Sequence, residues 1–310
     1  MKLFGIEHDR KRKYIIYHIF GFKISVPDEL YKLEIENNYL RQVINQIGAD
    51  KMPPATGDLR DWQMESFELL KEFDSICKEN NVKYWLDFGT LLGAMRHKGF
   101  IPWDDDIDTS MLKEDIDKIL PILRKHFKNS DYIIRMRAIT MNNFQIRIRN
   151  RRYNAGIDIF QTYKYPEENY SENLRDKITE KIIKARNLFD KKYNKKRMEK
   201  EQVNQAIEDI AKMQNEYILP KGKVMPEHPV LFKGIDFPYE EGYYVMPYDE
   251  IFPLKEATFE GYTFPIPNKT EEYMSKLWGN WKEIPKKTVS MPIEFYEGYK
   301  NAKPYYKDYD

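Results

Sequence analysis

The stretch that decides the fold is Tyr84–Met111, YWLDFGTLLGAMRHKGFIPWDDDIDTSM. It opens as an apolar strand, breaks at Gly89-Thr90, and then places four aspartates in five positions: Asp104, Asp105, Asp106 and Asp108. A solvated charge run does not ordinarily follow Ile101-Pro102-Trp103 and straddle Ile107. Carboxylates crowded among apolar residues repel one another and lose hydration unless a cation neutralises them. On a strand, side chains two apart face one side, which makes Asp106 and Asp108 converge. Two convergent carboxylates describe an oxygen-lined Mg2+ or Mn2+ site for phosphate chemistry. The plainer alternative is a calcium-stabilised or simply solvated loop.

A third acid on a neighbouring strand would complete such a site. Asp158, in Ile157-Asp158-Ile159, is the best candidate. Asp236 has the same pattern in Ile235-Asp236-Phe237, but Gly234 and Pro238 around it fit a turn better. Asp115 and Asp117 mimic the first pair on a helix, where residues two apart diverge, so they cannot share an ion. Gly89 lets backbone N–H groups approach a phosphate, and the Thr90 hydroxyl can add a donor. Arg96, His97 and Lys98 suit a pyrophosphate or nucleotide, with Trp103 beside the acids completing the nucleotide- and phosphate-binding set. The plainer reading of the basic trio is a solvated loop.

Outward from this centre, Met52-Pro53-Pro54-Ala55-Thr56-Gly57 closes an N-terminal extension. A helix follows, with Asp58 as cap and Trp62, Leu69, Leu70, Phe73, Ile76 and Cys77 at helical spacing. Val82 to Phe88 reads as a strand, then a loop to Asp108, then a helix from Lys113 to Phe127. Tyr132–Arg137 and Phe144–Arg149 read as strands around a Met141-Asn142-Asn143 turn. Glu172 to Tyr217 is charged and helical in period, broken at Asn194-Lys195-Lys196, which predicts two helices packed on the core and mostly solvated on one face, an insertion without chemistry. Near the end, alternation around Glu260-Gly261 predicts a hairpin, and Thr270 caps a helix stopped by Gly279. The divisions are thus 1–55, an N-terminal extension; 56–165, the catalytic core; 166–220, a helical insertion; and 221–310, the rest of the catalytic domain.

Bulk properties narrow the class. With 310 residues the chain can bury a full core, and 41% hydrophobic with 33% charged residues reads as soluble and globular. A net charge of +1 lacks the basic excess of a dedicated nucleic-acid binder. One cysteine, Cys77, excludes an internal disulfide and a Cys-rich zinc site. The apolar run Tyr14–Phe20 is too short to cross a bilayer; with the basic cluster Arg10–Lys13 before it, it suggests peripheral membrane contact at most. No signal peptide is expected, and a reducing, cytoplasmic setting fits, with the inner face of the cell membrane as one place of action.

Gly-Thr, Asp-Ile-Asp and a separate apolar-Asp-apolar strand resemble the DNA polymerase β-like nucleotidyltransferase superfamily. More closely, GTLLGAMRHKGFIPWDDDID (Gly89–Asp108) is similar to the LicD family, which includes bacterial phosphocholine transferases and relatives of fukutin and fukutin-related protein. The likeness extends upstream to Leu59-Arg60, and downstream to Gly156–Phe160 and Phe252–Gly279 with FEGYTFPIPN. Residues 1 to 55 and 166 to 235 stand outside it. The resemblance implies an α/β (α+β) fold, a nucleotidyltransferase-like mixed sheet flanked by helices with a helical insertion. It also implies Mg2+ dependence and a CDP-linked donor, CDP-choline or similar, whose phospho-head-group passes to a glycan or lipid-linked oligosaccharide as CMP leaves. Such transfers modify lipopolysaccharide or teichoic acid. Asp106 and Asp108 then become metal ligands, and Asp158 shares a metal or accepts the hydroxyl proton; Tyr243, Tyr244 and Tyr248 could box a choline cation. Two departures stand out: Phe88 occupies a position where many relatives have glycine, and the tail after Trp281 lacks the usual basic-His ending. The rival readings are a nucleotidyltransferase adding NMP to a small molecule, and a catalytically silent glycan-binding scaffold.

Overall fold

The computed structural model describes residues 4–9, 14–19, 22–27, 29–138, 144–152, 155–193, 200–237 and 244–284. The Met141-Asn142-Asn143 turn, the Asn194-Lys195-Lys196 break and Tyr243 lie outside these residues. The described chain falls into two units: residues up to Met52 with those from Asn280, and Pro53–Gly279. The sequence places 221–310 with the catalytic domain; within that span, the described residues Asn280–Ile284 group with the N-terminal residues. There the Ile284 amide donates to Asn45 Oδ1 at 2.8 Å.

The first unit is an antiparallel meander, β1 (Phe4–Asp9), β2 (Tyr14–Ile19) and β3 (Phe22–Pro27), followed by helix α1 (Glu29–Ile47). The short apolar run that begins at Tyr14 is therefore a strand, and no helix among the described residues is long and apolar enough to cross a membrane.

The second unit is built on a seven-stranded mixed sheet with helices around it. Its first helix, α2 (Gly57–Glu79), buries Trp62, Leu69, Leu70, Phe73, Ile76 and Cys77, as the spacing predicts. Each large apolar side chain so buried is worth about 1.5–3 kcal/mol. The cap differs from expectation: Thr56 stands at the N-cap and Asp58 in the first turn, where its charge still favours the helix dipole. Then come β4 (Tyr84–Leu86), α3 (Phe88–His97), β5 (Ile107–Leu112) and α4 (Lys113–His126). Where a strand to Phe88 and a long loop were expected, the strand stops at Leu86 and α3 begins after the single residue Asp87. Asp87 accepts the Phe88 amide at 2.9 Å as the helix cap, and Leu91, Leu92 and Ala94 are buried along α3.

β6 (Tyr132–Ala138), β7 (Phe144–Asn150) and β8 (Gly156–Tyr165) follow. Next are α5 (Glu172–Tyr193), α6 (Lys200–Met213) and one π-helical turn, Gln214–Ile218. α5 buries Ile178, Ile182, Ala185 and Phe189 against Ile218, Val230, Phe232 and Val245, so the predicted insertion forms part of a core. The chain closes with β9 (Val230–Phe232), β10 (Val245–Met246), α7 (Tyr248–Ile251), the hairpin β11 (Lys255–Phe259) and β12 (Tyr262–Ile266), and α8 (Thr270–Trp278). Thr270 is the first residue of α8 rather than its cap; its hydroxyl donates to the Pro267 carbonyl.

The strand order is β10-β9-β8-β5-β4, with β7 also on β8 and β6 on β7. β8 is the organising strand: it runs parallel to β5, antiparallel to β7 over its first residues and antiparallel to β9 over its last. It is buried at nine of its ten positions, as a central strand covered on both faces should be.

Candidate active site

The sheet register places three functional side chains in one row. Asp108 of β5 is directly opposite Asp158 of β8, and Asp158 is directly opposite Arg147 of β7. Residues paired across strands share a face, so Arg147, Asp158 and Asp108 stand side by side. Asp106, one residue before β5, joins them. Carboxylate oxygens of Asp106, Asp108 and Asp158 all lie within 4.8 Å of one another, and a second group of Asp104, Asp105 and Asp106 meets the same limit. Asp236 belongs to neither group, and Asp117 pairs with Lys113 on the surface of α4.

Three elements hold the acidic loop. From α2, Trp62 Nε1 donates to the Asp105 carbonyl at 2.7 Å and Gln63 Nε2 to the Asp104 carbonyl at 2.8 Å. From the β11–β12 turn, Glu260 accepts the Phe100 amide at 3.0 Å and is gripped by Arg60 through bonds of 2.9 and 2.6 Å. From α3, the Gly89 amide donates to Asp108 Oδ2 at 3.3 Å. A Cβ at Gly89 would stand 2.8 Å from Asp104 Oδ2, so a larger residue would push that carboxylate away from the helix N-terminus. There the positive end of the helix dipole favours their charge.

Thr90 is 2% exposed, and its hydroxyl accepts the Asp108 amide at 2.8 Å. It therefore fixes the backbone of an acid, which is a different task from the phosphate contact expected of it. The basic trio is not brought to the acids by α3. Arg96 lies seven residues beyond Gly89, about 10 Å along the helix axis, and Arg96 and His97 end the helix with Lys98 as its C-cap. Arg96 Nε donates to His97 Nε2 at 2.9 Å. Cations there complement the negative end of the dipole, a structural reason for the run. Trp103 is half-buried in the turn before the acids. Of the two described tyrosines, the Tyr244 ring packs on Phe88 and Phe237, and Tyr248 stacks on Phe252.

The cations that do reach the site come from β7. Arg147 Nη2 donates to Asp158 Oδ2 at 2.7 Å, and Arg149 Nη2 donates to Asp158 Oδ1. The sequence carries them as the alternation Arg147-Ile148-Arg149, a period-two face that reads at first as solvated.

Two further residues escaped the sequence reading. Asp87, fully buried, accepts from Ser110 Oγ at 2.5 Å and Tyr273 Oη at 2.7 Å besides capping α3. Lys233, just after β9 and 1% exposed, donates to Ser110 Oγ at 2.6 Å and Thr162 Oγ1 at 2.9 Å, with Asp87 at 3.4 Å. Its ammonium lies 5.6 Å from both the Trp85 and Phe88 rings. Burial pulls its proton affinity down, and Asp87 opposes that. This network anchors the start of α3, and with it Gly89.

Electrostatics show what the acids require. Burial, then the nearby charges of Asp158 and Asp105, push Asp106 up to about 7, against the pull of Arg149 and Arg147. Burial and the charges of Asp106 and Asp105 push Asp104 well above the usual carboxylate range. A set of acids that resists joint ionisation is relieved by a cation, and carboxylate oxygens from two adjacent strands suit a hard divalent ion such as Mg2+ or Mn2+.

Residues 81–192 match the family model described as LicD/FKTN/FKRP, nucleotidyltransferase domain. An uncharacterized protein of Rickettsia prowazekii is 34% identical over 137 residues, covering 41% of this chain and 45% of that protein. The lipopolysaccharide cholinephosphotransferase LicD of Haemophilus influenzae is 42% identical over 64 residues, 21% of this chain and 24% of that protein. Human ribitol 5-phosphate transferase FKRP is 54% identical over 41 residues, 13% of this chain and 8% of FKRP. The matched stretches span less than half of each of these relatives.

Proposed function

We propose that this chain, which carries a LicD-type nucleotidyltransferase domain, transfers a phospho-head-group from a CDP-activated donor to a glycan hydroxyl and releases CMP. The observation that carries this reading is the convergence of Asp106, Asp108 and Asp158 on one face of the sheet, backed by a helix N-terminus and two arginines. Two relatives, a cholinephosphotransferase and a ribitol 5-phosphate transferase, are both named for moving a phosphorylated alcohol, and they supply the reaction class. A cytoplasmic site of action, at the inner face of the membrane where lipid-linked acceptors gather, fits this reading.

The acceptor oxygen attacks the phosphorus next to the head group. The new O–P bond forms as the bond from that phosphorus to the bridging oxygen breaks, CMP leaves with the bridging oxygen, and a carboxylate of the cluster takes the hydroxyl proton. Phosphoryl transfer of this kind needs positioning and charge neutralisation more than covalent help. Asp106 and Asp108 would hold Mg2+ or Mn2+, which supplies Lewis-acid neutralisation of the phosphates. Asp158 sets the third corner, and Gln63, Trp62 and Glu260 keep the acidic loop in place.

The test is CMP release by the purified full chain from CDP-choline, CDP-ethanolamine and CDP-ribitol, with Mg2+ and with EDTA. Metal-dependent release, lost in Asp106→Asn and Asp108→Asn variants that remain folded, is the expected outcome. Pyrophosphate release from a nucleoside triphosphate would instead favour NMP transfer to a small molecule. Binding of a glycan without turnover of any donor would favour a silent scaffold.

A further inference from the structure

Asp158 presents a conflict that the proposed reaction has to resolve. It is 2% exposed, and both of its oxygens are engaged by guanidinium groups. A carboxylate has about four lone-pair directions, so a divalent ion can reach Asp158 only by sharing it with two cations or displacing one. The two arginines differ in how readily they can give way.

Arg149 is poorly placed to move. Its side chain is 2% exposed, its Nε is buried without a hydrogen-bond partner, and taking it off Asp158 would strand a buried charge. Its position also looks purpose-built. Arg149 stands opposite Gly156, where a Cβ would fall 2.0 Å from the Ile148 carbonyl oxygen. With no side chain at 156, Arg149 reaches diagonally to Asp158, a span that long side chains cover. Arg147 is different: its side chain is 12% exposed, and across the sheet it stands between Asp158 of β8 and a like charge, Arg135 of β6.

We propose that Arg147 is the phosphate-handling residue of this site: it neutralises Asp158 in the free protein and turns to the phosphates of a nucleoside diphosphate when a divalent cation takes its place. The inference rests on the function proposed above. The charge balance favours it. Asp104, Asp105, Asp106, Asp108 and Asp158 crowd together while Arg147 and Arg149 are both paired to Asp158, so a lone diphosphate is repelled. Once a divalent cation occupies the acids, the Arg147 fork becomes available for two phosphate oxygens, the geometry a guanidinium matches best.

Two binding titrations on the full chain test this, neither relying on turnover. Mn2+ affinity is read by electron paramagnetic resonance without nucleotide, and CDP affinity by calorimetry at saturating Mn2+. Arg147→Met should bind Mn2+ several-fold more tightly, because the competing cation is gone, and CDP about tenfold more weakly, the loss of one charge-assisted contact. Arg147→Lys, which keeps the charge but not the fork, should stay near wild type for Mn2+ and still lose CDP affinity. A residue that only supported the fold would weaken both. Unchanged affinities, both weakened, or tighter Mn2+ with unchanged CDP would each overturn the proposal while leaving the transferase reading intact. A wild-type chain that binds neither Mn2+ nor CDP would sink both.

Discussion

Ile157-Asp158-Ile159 and Ile235-Asp236-Phe237 share one local pattern, and both acids end up buried, at 2% and 4% exposure. Their surroundings differ in kind. Asp158 sits inside the central strand, between Asp108 and Arg147, with a guanidinium on each oxygen. Asp236 sits in the turn after β9. Its Oδ2 accepts from Gln161 Nε2 at 2.5 Å and Tyr163 Oη at 3.2 Å, while Oδ1 has no hydrogen-bond partner. Burial pushes its carboxyl up to about 6, and the two neutral donors and Lys233 only partly hold it down. Burial alone therefore says little about the role of an acid. What surrounds the acid separates the two: guanidinium groups on both oxygens of Asp158, neutral donors on one oxygen of Asp236.

The sharpest break in this comparison is Asp158→Asn. It removes the counter-charge from Arg149, which has almost no access to water. Breaking a buried pair from one side typically costs about 3–5 kcal/mol, so urea denaturation should show a loss of that order, together with loss of divalent-ion binding. Asp236→Asn strands no cation and should cost far less at neutral pH. If the two variants lose equal stability, the contrast in charge compensation is wrong.

Much of the frame was legible because periodicity survives folding. The α2 positions from Trp62 to Cys77 are buried as spaced, Asp115 and Asp117 lie on a helix, and Glu260-Gly261 turn a hairpin with φ values of 50 and 80. The convergence of Asp158 with Asp106 and Asp108 could be guessed from strand pattern, whereas the Asp108–Asp158 register could not, since it depends on a long-range parallel pairing. α3 went unread because it is only ten residues long and has two glycines inside it, which mimic a loop. Charge partners were the least legible. Arg96, His97 and Lys98 are close to the acids in sequence yet end at the far pole of α3, while Arg147 and Arg149 come from a distant strand. Lys233, between Phe232 and Gly234, gave no sign that it would be enclosed by aromatic rings and aimed at Asp87.

A second prediction concerns Phe88, where the two acid regions meet. Its φ of 43 lies in the region that glycine tolerates best. The ring repays that strain by packing at 4.8 Å from Phe160, near Asp158, and stacking at 5.4 Å on Phe237, beside Asp236. Loss of a buried Phe costs about 3–5 kcal/mol, and relief of a left-handed backbone returns about 1 kcal/mol. Phe88→Gly should therefore lose about 2–4 kcal/mol in thermal denaturation. Phe88→Ala should lose about 1 kcal/mol more, because it drops the ring and keeps the strain. An alanine variant as stable as the glycine variant would show that this φ carries no penalty.

The smallest effect is the most diagnostic for Asp236. Its folded-state carboxyl titrates near 6, above the unfolded value near 4, so the folded state holds the proton more tightly. The stabilisation this gives is complete below pH 4 and is lost as pH rises through 6, because the unfolded chain releases its proton first. The loss is bounded by about 1.4 kcal/mol for each pH unit of that window. Asp106, pushed up to about 7, contributes a slope of the same sign over an overlapping range. The informative quantity is therefore the difference between wild type and Asp236→Asn, measured by urea denaturation at intervals from pH 4 to 7. Asparagine keeps an acceptor for Gln161 and Tyr163 but has nothing to titrate, so the variant should show a shallower decline and gain on wild type as pH rises. Parallel curves for the two proteins would mean that Asp236 is compensated as fully as Asp158, and the distinction between the two acids would fail.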